Sequence, residues 1–257
     1  MKHALLVWLL QALTRKPAAF RVLDTHAGAG RYDLNSDAAL RTGEWRQGIA
    51  RLQGITEGPL ADYVALVGQD GSYPGSPAIA SALLREQDRL ALVELHEADY
   101  AELRALFRAD PQVAVHRRDG WEALRALTPF PEKRGLVLMD PPFEQPGEYE
   151  RLTAAITDVS RRARGLVQAA WYPIKGRAPV RAFHTALADS GVKDILAAEL
   201  HLREPTDAAR LNGCGLIIVN APYGFEDAAR EMLTELRGRL SIGEPGDGWA
   251  LTRIADE

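Results

Sequence analysis

The chain predicts a doubly wound α/β fold on a mostly parallel sheet of seven strands, with a helical insertion after the first strand. Three observations carry that prediction. Short apolar, β-branched runs alternate with longer stretches of helical periodicity, the order expected of βαβ units. Three of these runs end on a carboxylate and a turn: Asp24 before a glycine-rich loop, Asp119-Gly120, and Asp140-Pro141. The 257 residues, 46% apolar and 26% charged, suit one large α/β domain with a substantial core.

The elements follow in order. Lys2-His3 and the apolar run behind them mimic the charged and hydrophobic regions of a signal peptide. Arg15-Lys16 interrupt that run, and it is too short to span a bilayer, so a buried helix over residues 4–13 is expected. Strands are expected at 21–25, 91–95, 113–116, 136–140, 165–171, 195–200 and 216–220. Helices are expected at 76–86, 100–107, 120–127, 149–161, 179–190 and 227–236. Seventy residues separate Asp24 from Glu94, whereas a compact nucleotide-binding half places its acidic residue about 20 residues after the glycine turn. Residues 32–73 therefore form an insertion with helical stretches at 44–52 and 60–67, broken by Gly54, Gly58-Pro59 and the glycines at 68–75. It either contacts substrate or decorates the fold. The main domain is then 1–31 together with 74–257.

Charge and cysteine content narrow the function. With 31 basic and 35 acidic side chains the net charge is −4, so a polynucleotide partner needs a local basic patch. Arg117-Arg118, Arg161-Arg162-Arg164 and the segment 175–181 are candidates, each equally readable as a solvated face. The single cysteine, Cys214, excludes an intrachain disulfide framework, fits a reducing cytoplasm and leaves no cysteine cluster for zinc. No metal and no membrane partner are expected.

Candidate site residues gather at strand ends. Gly28 and Gly30 let the backbone pass close to a ligand where open α/β sheets bind cofactors. Asp33 stands where the third glycine of a dinucleotide fingerprint would be. Glu94 can accept both ribose hydroxyls of a nucleoside cofactor, or simply be solvated. Asp119 either caps the helix opened by Gly120 or takes a hydrogen bond from an adenine amino group. His26 is by itself a packed or capping histidine. The strongest signal is Asp140-Pro141-Pro142-Phe143. The two prolines hold an extended turn and remove two backbone donors, so carbonyls face the site without competing N–H groups. Asp140 and the Pro141 carbonyl can accept both hydrogens of an exocyclic amine and aim its lone pair at an electrophilic methyl. Phe143 offers a stacking face for an extruded base. This chemistry points to an S-adenosylmethionine-dependent amino-methyltransferase. Trp171-Tyr172-Pro173 either lines the base pocket or packs the core.

These stretches also resemble a family. Lys2-His3, the string from Leu23 to Tyr32 (L-D-T-H-A-G-A-G-R-Y), Arg41-Thr42-Gly43-Glu44 and Tyr73-Pro74-Gly75-Ser76-Pro77 are similar to the RlmJ methyltransferases. Leu83-Leu84-Arg85-Glu86-Gln87-Asp88, Glu94-Leu95-His96, Asp119-Gly120, Asp140-Pro141-Pro142-Phe143 and Trp171-Tyr172-Pro173 continue the resemblance in order over nearly the whole chain. It implies a Rossmann-like methyltransferase sheet and methylation of adenine N6 in 23S ribosomal RNA. It also implies contacts to S-adenosylmethionine from Lys2, His3, His26, Ser76, Glu94, Asp119 and Gly120, with Asp140 catalytic. The expected substrate is protein-free RNA or an early assembly intermediate, bound by a monomer. Phe143 stands where the family commonly has Tyr. Family members carry a segment with Tyr, His and Gly-Asn residues before Lys-His. This sequence starts at Met1, so either the start is truncated or misassigned, or part of the site is lacking.

Other readings stay open at this point. The same Asp-Pro-Pro-aromatic geometry serves a DNA adenine-N6 or cytosine-N4 methyltransferase. A cofactor-binding but inactive protein would keep the fold without turnover.

Overall fold

The computed structural model describes residues 1–67 and 71–256. Its centre is an eight-stranded sheet in the order β10-β8-β9-β7-β6-β1-β4-β5. The strands are β1 (Arg21–Asp24), β4 (Arg89–Glu94), β5 (Val113–Arg117), β6 (Gly135–Met139), β7 (Val167–Ile174), β8 (Ile195–His201), β9 (Gly213–Val219) and β10 (Gly248–Ala255). Neighbours from β5 across to β7 pair in parallel, while β9 and β10 run against the rest. The expected seven strands are thus eight. The unforeseen one, β10, is an edge strand that among the described residues pairs only with β8, from Gly248 opposite His201. An edge strand with half-exposed and charged residues lacks the apolar run that marks the central ones.

Why the central strands read as continuous apolar runs is visible in their two faces. In β6, Leu136 and Leu138 enter one core, and Val137 and Met139 enter the other. In β8, Leu196, Ala198 and Leu200 face the first core, and Ile195 and Ala197 the second. A strand covered by helices on both sides has no polar face to alternate with. The first core is closed by α1 (Lys2–Thr14), α5 (Ser76–Ala82), α6 (Glu97–Leu106) and α10 (Phe225–Leu240). The second is closed by α7 (Gly120–Leu127), α8 (Glu148–Arg162) and α9 (Arg177–Ala188). In α1, Leu5, Leu6, Leu9 and Leu10 are all buried, as expected for a short helix with little polar face.

The insertion is helical as expected, but in more and shorter pieces, with an additional helix ahead of the expected ones. It is closed at its base by an antiparallel ribbon, β2 (Arg31–Asp33) on β3 (Ser72–Pro74), with Tyr32 opposite Tyr73. Between them lie α2 (Asp37–Thr42), α3 (Glu44–Gln47), a 3-10 turn (Ile49–Leu52) and α4 (Ala61–Leu66). The helix expected over 44–52 breaks at Gly48, whose backbone is not helical. Residues 68–70 of the expected glycine break lie outside the described residues. Leu52, Ile55, Leu60 and Tyr63 join the first core beside Leu5 and Leu9.

The helix expected over 76–86 stops at Ala82 because the next turn is clasped. Asp88 is fully buried and accepts hydrogen bonds from the Phe20 and Arg85 amides and from the Arg85 guanidinium. Arg85 also donates to the carbonyls of Thr14, Lys16 and Ala18. One ion pair therefore ties the turn before β4 to the loop between α1 and β1.

Candidate active site

The order of strands reverses between β1 and β6, and open α/β sheets bind ligands outside the carboxyl ends at such a point. A cavity of about 740 Å³ opens there, walled by residues that follow β1, β4, β5 and β6 and by the start of α8. Its wall carries Glu94, Glu97, Asp99, Asp119, Asp140, Glu144 and Glu148, against Arg151 as its one Arg or Lys side chain. Such a wall favours a cationic ligand.

Each strand end presents its side chain for a local reason. Glu94 is held by two backbone donors, Gly28 N–H to Oε2 and His96 N–H to Oε1, both at 2.7 Å. The carboxylate is therefore fixed before any ligand arrives. Asp119 caps α7 through Oδ1, which accepts from the Trp121 and Glu122 amides at 2.9 and 3.0 Å. Its Oδ2 has no donor among the described residues. Gly120 is required by packing: a Cβ there would stand 2.3 Å from the Thr25 carbonyl and 2.9 Å from the His26 ring. Gly28 has φ +62, and a Cβ would meet the Tyr32 hydroxyl. The Thr25 hydroxyl donates to the Leu138 carbonyl at 3.1 Å, so its 2.8 Å contact with His26 assigns the proton to Nδ1 of the histidine. Burial lowers the His26 imidazole below its ordinary range, with Asp140, Glu94 and Asp119 pulling the other way.

At the cavity floor several of the expected residues join a partly buried charged cluster whose pairings the sequence did not show. Asp140 forms an ion pair with Lys2. Burial would lower the Lys2 ammonium, but Asp140, and behind it Asp24 and Tyr73, outweigh that and raise it. Asp24 is buried, accepts from Ser76 Oγ at 2.6 Å, and is pushed up to about 6, chiefly by burial. His3 is held well below its ordinary range by burial and by Lys2. Its Nδ1 meets the Tyr73 hydroxyl at 2.7 Å, which meets Tyr63 at 2.9 Å. His3 Nε2 is buried with no partner among the described residues.

The expected site residues divide accordingly. His26, Gly28, Glu94, Asp119, Gly120 and Asp140 line one cavity. Lys2 reaches it through Asp140, whereas His3 and Ser76 stand behind the wall on Tyr73 and Asp24. Pro141 is buried and Phe143 half-buried. Phe143 has φ +53, uncommon for an aromatic residue, and lies edge-on to Tyr149 and Trp171 at 5.0 and 5.9 Å. The sequence reading missed Asp24, Tyr73 and Glu148. Glu148, just after a glycine at a helix start, looks like any first-turn acid.

A family model described as Ribosomal RNA large subunit methyltransferase D, RlmJ, matches residues 17–252. The chain belongs to the RlmJ family. It is 38% identical over 248 residues to Ribosomal RNA large subunit methyltransferase J of Escherichia coli K12, covering 93% of this chain and 89% of the relative. The protein of the same name from Haemophilus influenzae Rd is 36% identical over 266 residues, covering all of this chain and 94% of the relative. The crystal structure of protein LPL1258 from Legionella pneumophila superposes with a TM-score of 0.88 at 32% identity, over 98% of this chain and 95% of that one. This RlmJ-family chain is thus a methyltransferase, and its cofactor is S-adenosylmethionine. The cavity fits that cofactor on its own chemistry. Its acidic wall complements a sulfonium and an ammonium, Glu94 is pre-oriented for a diol, and the Asp119 Oδ2 is unclaimed.

Proposed function

We propose that this protein methylates the exocyclic N6 amine of an adenine in large-subunit ribosomal RNA by direct transfer to a flipped base. One observation carries the reading: Asp140, with Pro141 and Pro142 behind it, ends the strand beside β1 at the reversal of the sheet. Its partner there is Lys2. When bound, S-adenosylmethionine supplies a methyl group made electrophilic by its sulfonium. Asp140 accepts one hydrogen of the amine and the Pro141 carbonyl the other. The nitrogen becomes more pyramidal and its lone pair turns to the cofactor side of the cavity. Lys2 keeps Asp140 in place through their ion pair. As the N–C bond forms the methyl–sulfur bond would break, its electrons staying on sulfur, and the proton lost from nitrogen would pass to Asp140 or to water. Phe143, braced by Tyr149 and Trp171, packs against the base.

On the same reading Glu94 holds the ribose, while Asp119, Gly120 and His26 hold the adenine end of the cofactor. His3 and Ser76 act from behind, by fixing Tyr73 and Asp24. Residues 32–73 form the substrate-side subdomain, supported by the reach of Tyr63 and Tyr73 to His3. Because the base must leave its stack, RNA free of ribosomal protein is the better substrate.

The test is methyl transfer from labelled S-adenosylmethionine to protein-free 23S RNA and to duplex DNA, followed by nucleoside analysis. N6-methyladenosine from RNA alone is expected. Asp140→Ala should lower turnover roughly 100- to 1000-fold while keeping cofactor affinity. Label in DNA alone would replace the RNA reading with a DNA one.

A further inference from the structure

Glu148 is the first residue of α8, after Gly147 with φ +84. Its side chain is 6% exposed. Oε1 lies 3.5 Å from Arg151 Nη1, while Oε2 is sealed from solvent with no donor among the described residues. Buried carboxylate oxygens without donors are rare in folded proteins because they lose water and gain nothing. Glu148 also lines the cavity, together with Asp119, Trp121 and Pro142. A turn of the side chain toward the cavity would bring the orphan oxygen to a donor bound there.

The identity of that donor follows from its neighbour. Asp119 spends Oδ1 on the two amides of its cap and leaves Oδ2 free. The two carboxylates feel each other. Burial raises the Glu148 carboxyl above its ordinary value, Arg151 opposes the rise, and Asp119 adds to it. Both residues line the same cavity, and a ligand group with two hydrogens on one atom could serve one oxygen of each. A ribose diol is already matched by Glu94, on the β4 side of the cavity. An exocyclic amine on a purine has the required form.

We infer that Glu148 is a cofactor-binding residue: its Oε2 accepts one hydrogen of the cofactor's adenine amine while Asp119 Oδ2 accepts the other. This rests on the placement of the cofactor given above. Its consequence is selectivity. A cofactor carrying hypoxanthine presents a carbonyl oxygen to two carboxylate oxygens and is rejected by repulsion as well as by lost hydrogen bonds.

The experiment is calorimetric titration of S-adenosylhomocysteine and its deaminated analogue, S-inosylhomocysteine, into the wild type and into Glu148→Ala and Glu148→Gln. Wild type should prefer the adenosyl ligand by at least about 100-fold. Glu148→Ala should weaken the adenosyl ligand about tenfold and, by removing one of the two repelling carboxylates, tighten the inosyl ligand. In Glu148→Gln the amide oxygen stays on Arg151 and the NH2 faces the purine. It should bind the inosyl ligand more tightly than wild type does and reduce the preference by at least about tenfold. The near-isosteric Gln variant carries the test should the Ala variant fail to fold. An unchanged preference ratio in the folded variants overturns the inference. Asp119→Asn and Glu94→Gln separate the two levels. If they weaken the adenosyl ligand while Glu148 variants do not, only the role of Glu148 falls. If none of the four variants alters binding, the cofactor placement falls with it.

Discussion

Asp24→Asn should stabilise the protein at neutral pH and change how stability depends on pH. Asp24 ends β1 inside the protein, 1% exposed, with Ser76 Oγ on Oδ2 and the His26 amide 3.3 Å from Oδ1. Burial raises its carboxyl from 3.8 to about 6, against the pull of Ser76 and Lys2. At 1.36 kcal/mol per pH unit, keeping this group ionised in the folded state costs roughly 3 kcal/mol relative to the unfolded chain. The sign follows from proton binding. Between pH 4 and 6 the folded state holds the proton that the unfolded state has released, so stability falls as pH rises through that window. Asparagine carries no such charge, and Ser76 can accept from its NH2. Comparing wild type with Asp24→Asn cancels the other titrating groups. From pH 5 to pH 7.5 the wild type should lose about 1–1.5 kcal/mol relative to the variant. That is about 2–5 °C in relative Tm for a chain of this size. Urea denaturation at pH 5, 6 and 7.5 reads the difference directly. Parallel pH curves for the two proteins would refute the assignment of an ionised, buried Asp24 at neutral pH.

Three further outcomes are expected. Gly120→Ala forces a Cβ to 2.3 Å from the Thr25 carbonyl. It should cost roughly 1–3 kcal/mol in urea denaturation, and by displacing His26 it should weaken S-adenosylhomocysteine measurably in calorimetry. Tyr172→Phe removes a buried hydroxyl that donates to Glu199 at 2.8 Å and meets His184 at 3.0 Å. A loss of roughly 1–3 kcal/mol is expected, read as a lower Tm. Asp88→Asn breaks the clasp with Arg85 and should cost about 3 kcal/mol at neutral pH. Asp88 is held below its ordinary value by Arg85 and backbone amides despite its burial. Its stabilisation is therefore present above about pH 4 and lost only as pH falls through the lower folded value, and acid titration of both proteins checks this.

Legibility in the sequence depended on how far each signal was local. Leu136–Met139 is apolar at every position because helices cover both faces, so β6 stood out without reference to anything else. Asp140-Pro141-Pro142-Phe143 carried the chemistry proposed for it in four adjacent residues. Glu94, Asp119 and Gly120 were legible because a strand end followed by a helix start constrains where a side chain points. By contrast, His184 and His201 offered no sequence reason for a role. Only folding places both near Glu199, at 3.7 and 3.4 Å. The Arg85–Asp88 string was visible as a resemblance, and its meaning as a clasp needed the backbone of residues 14–20 beside it.

By itself the sequence determined the two-faced sheet, the glycine turn and the Asp-Pro-Pro-Phe corner, since periodicity, turn chemistry and proline stiffness act over a few residues. The tertiary structure decided which of those corners meet. The reversal between β1 and β6 brings Asp140 to Lys2 and Asp24, both more than a hundred residues earlier in the chain. It also decided that Ser76 faces Asp24, that β10 closes the sheet, and that Glu148 keeps one buried oxygen without a partner among the described residues. Pairings of that kind depend on burial and electrostatic environment, which belong to the assembled fold and to no single stretch of chain.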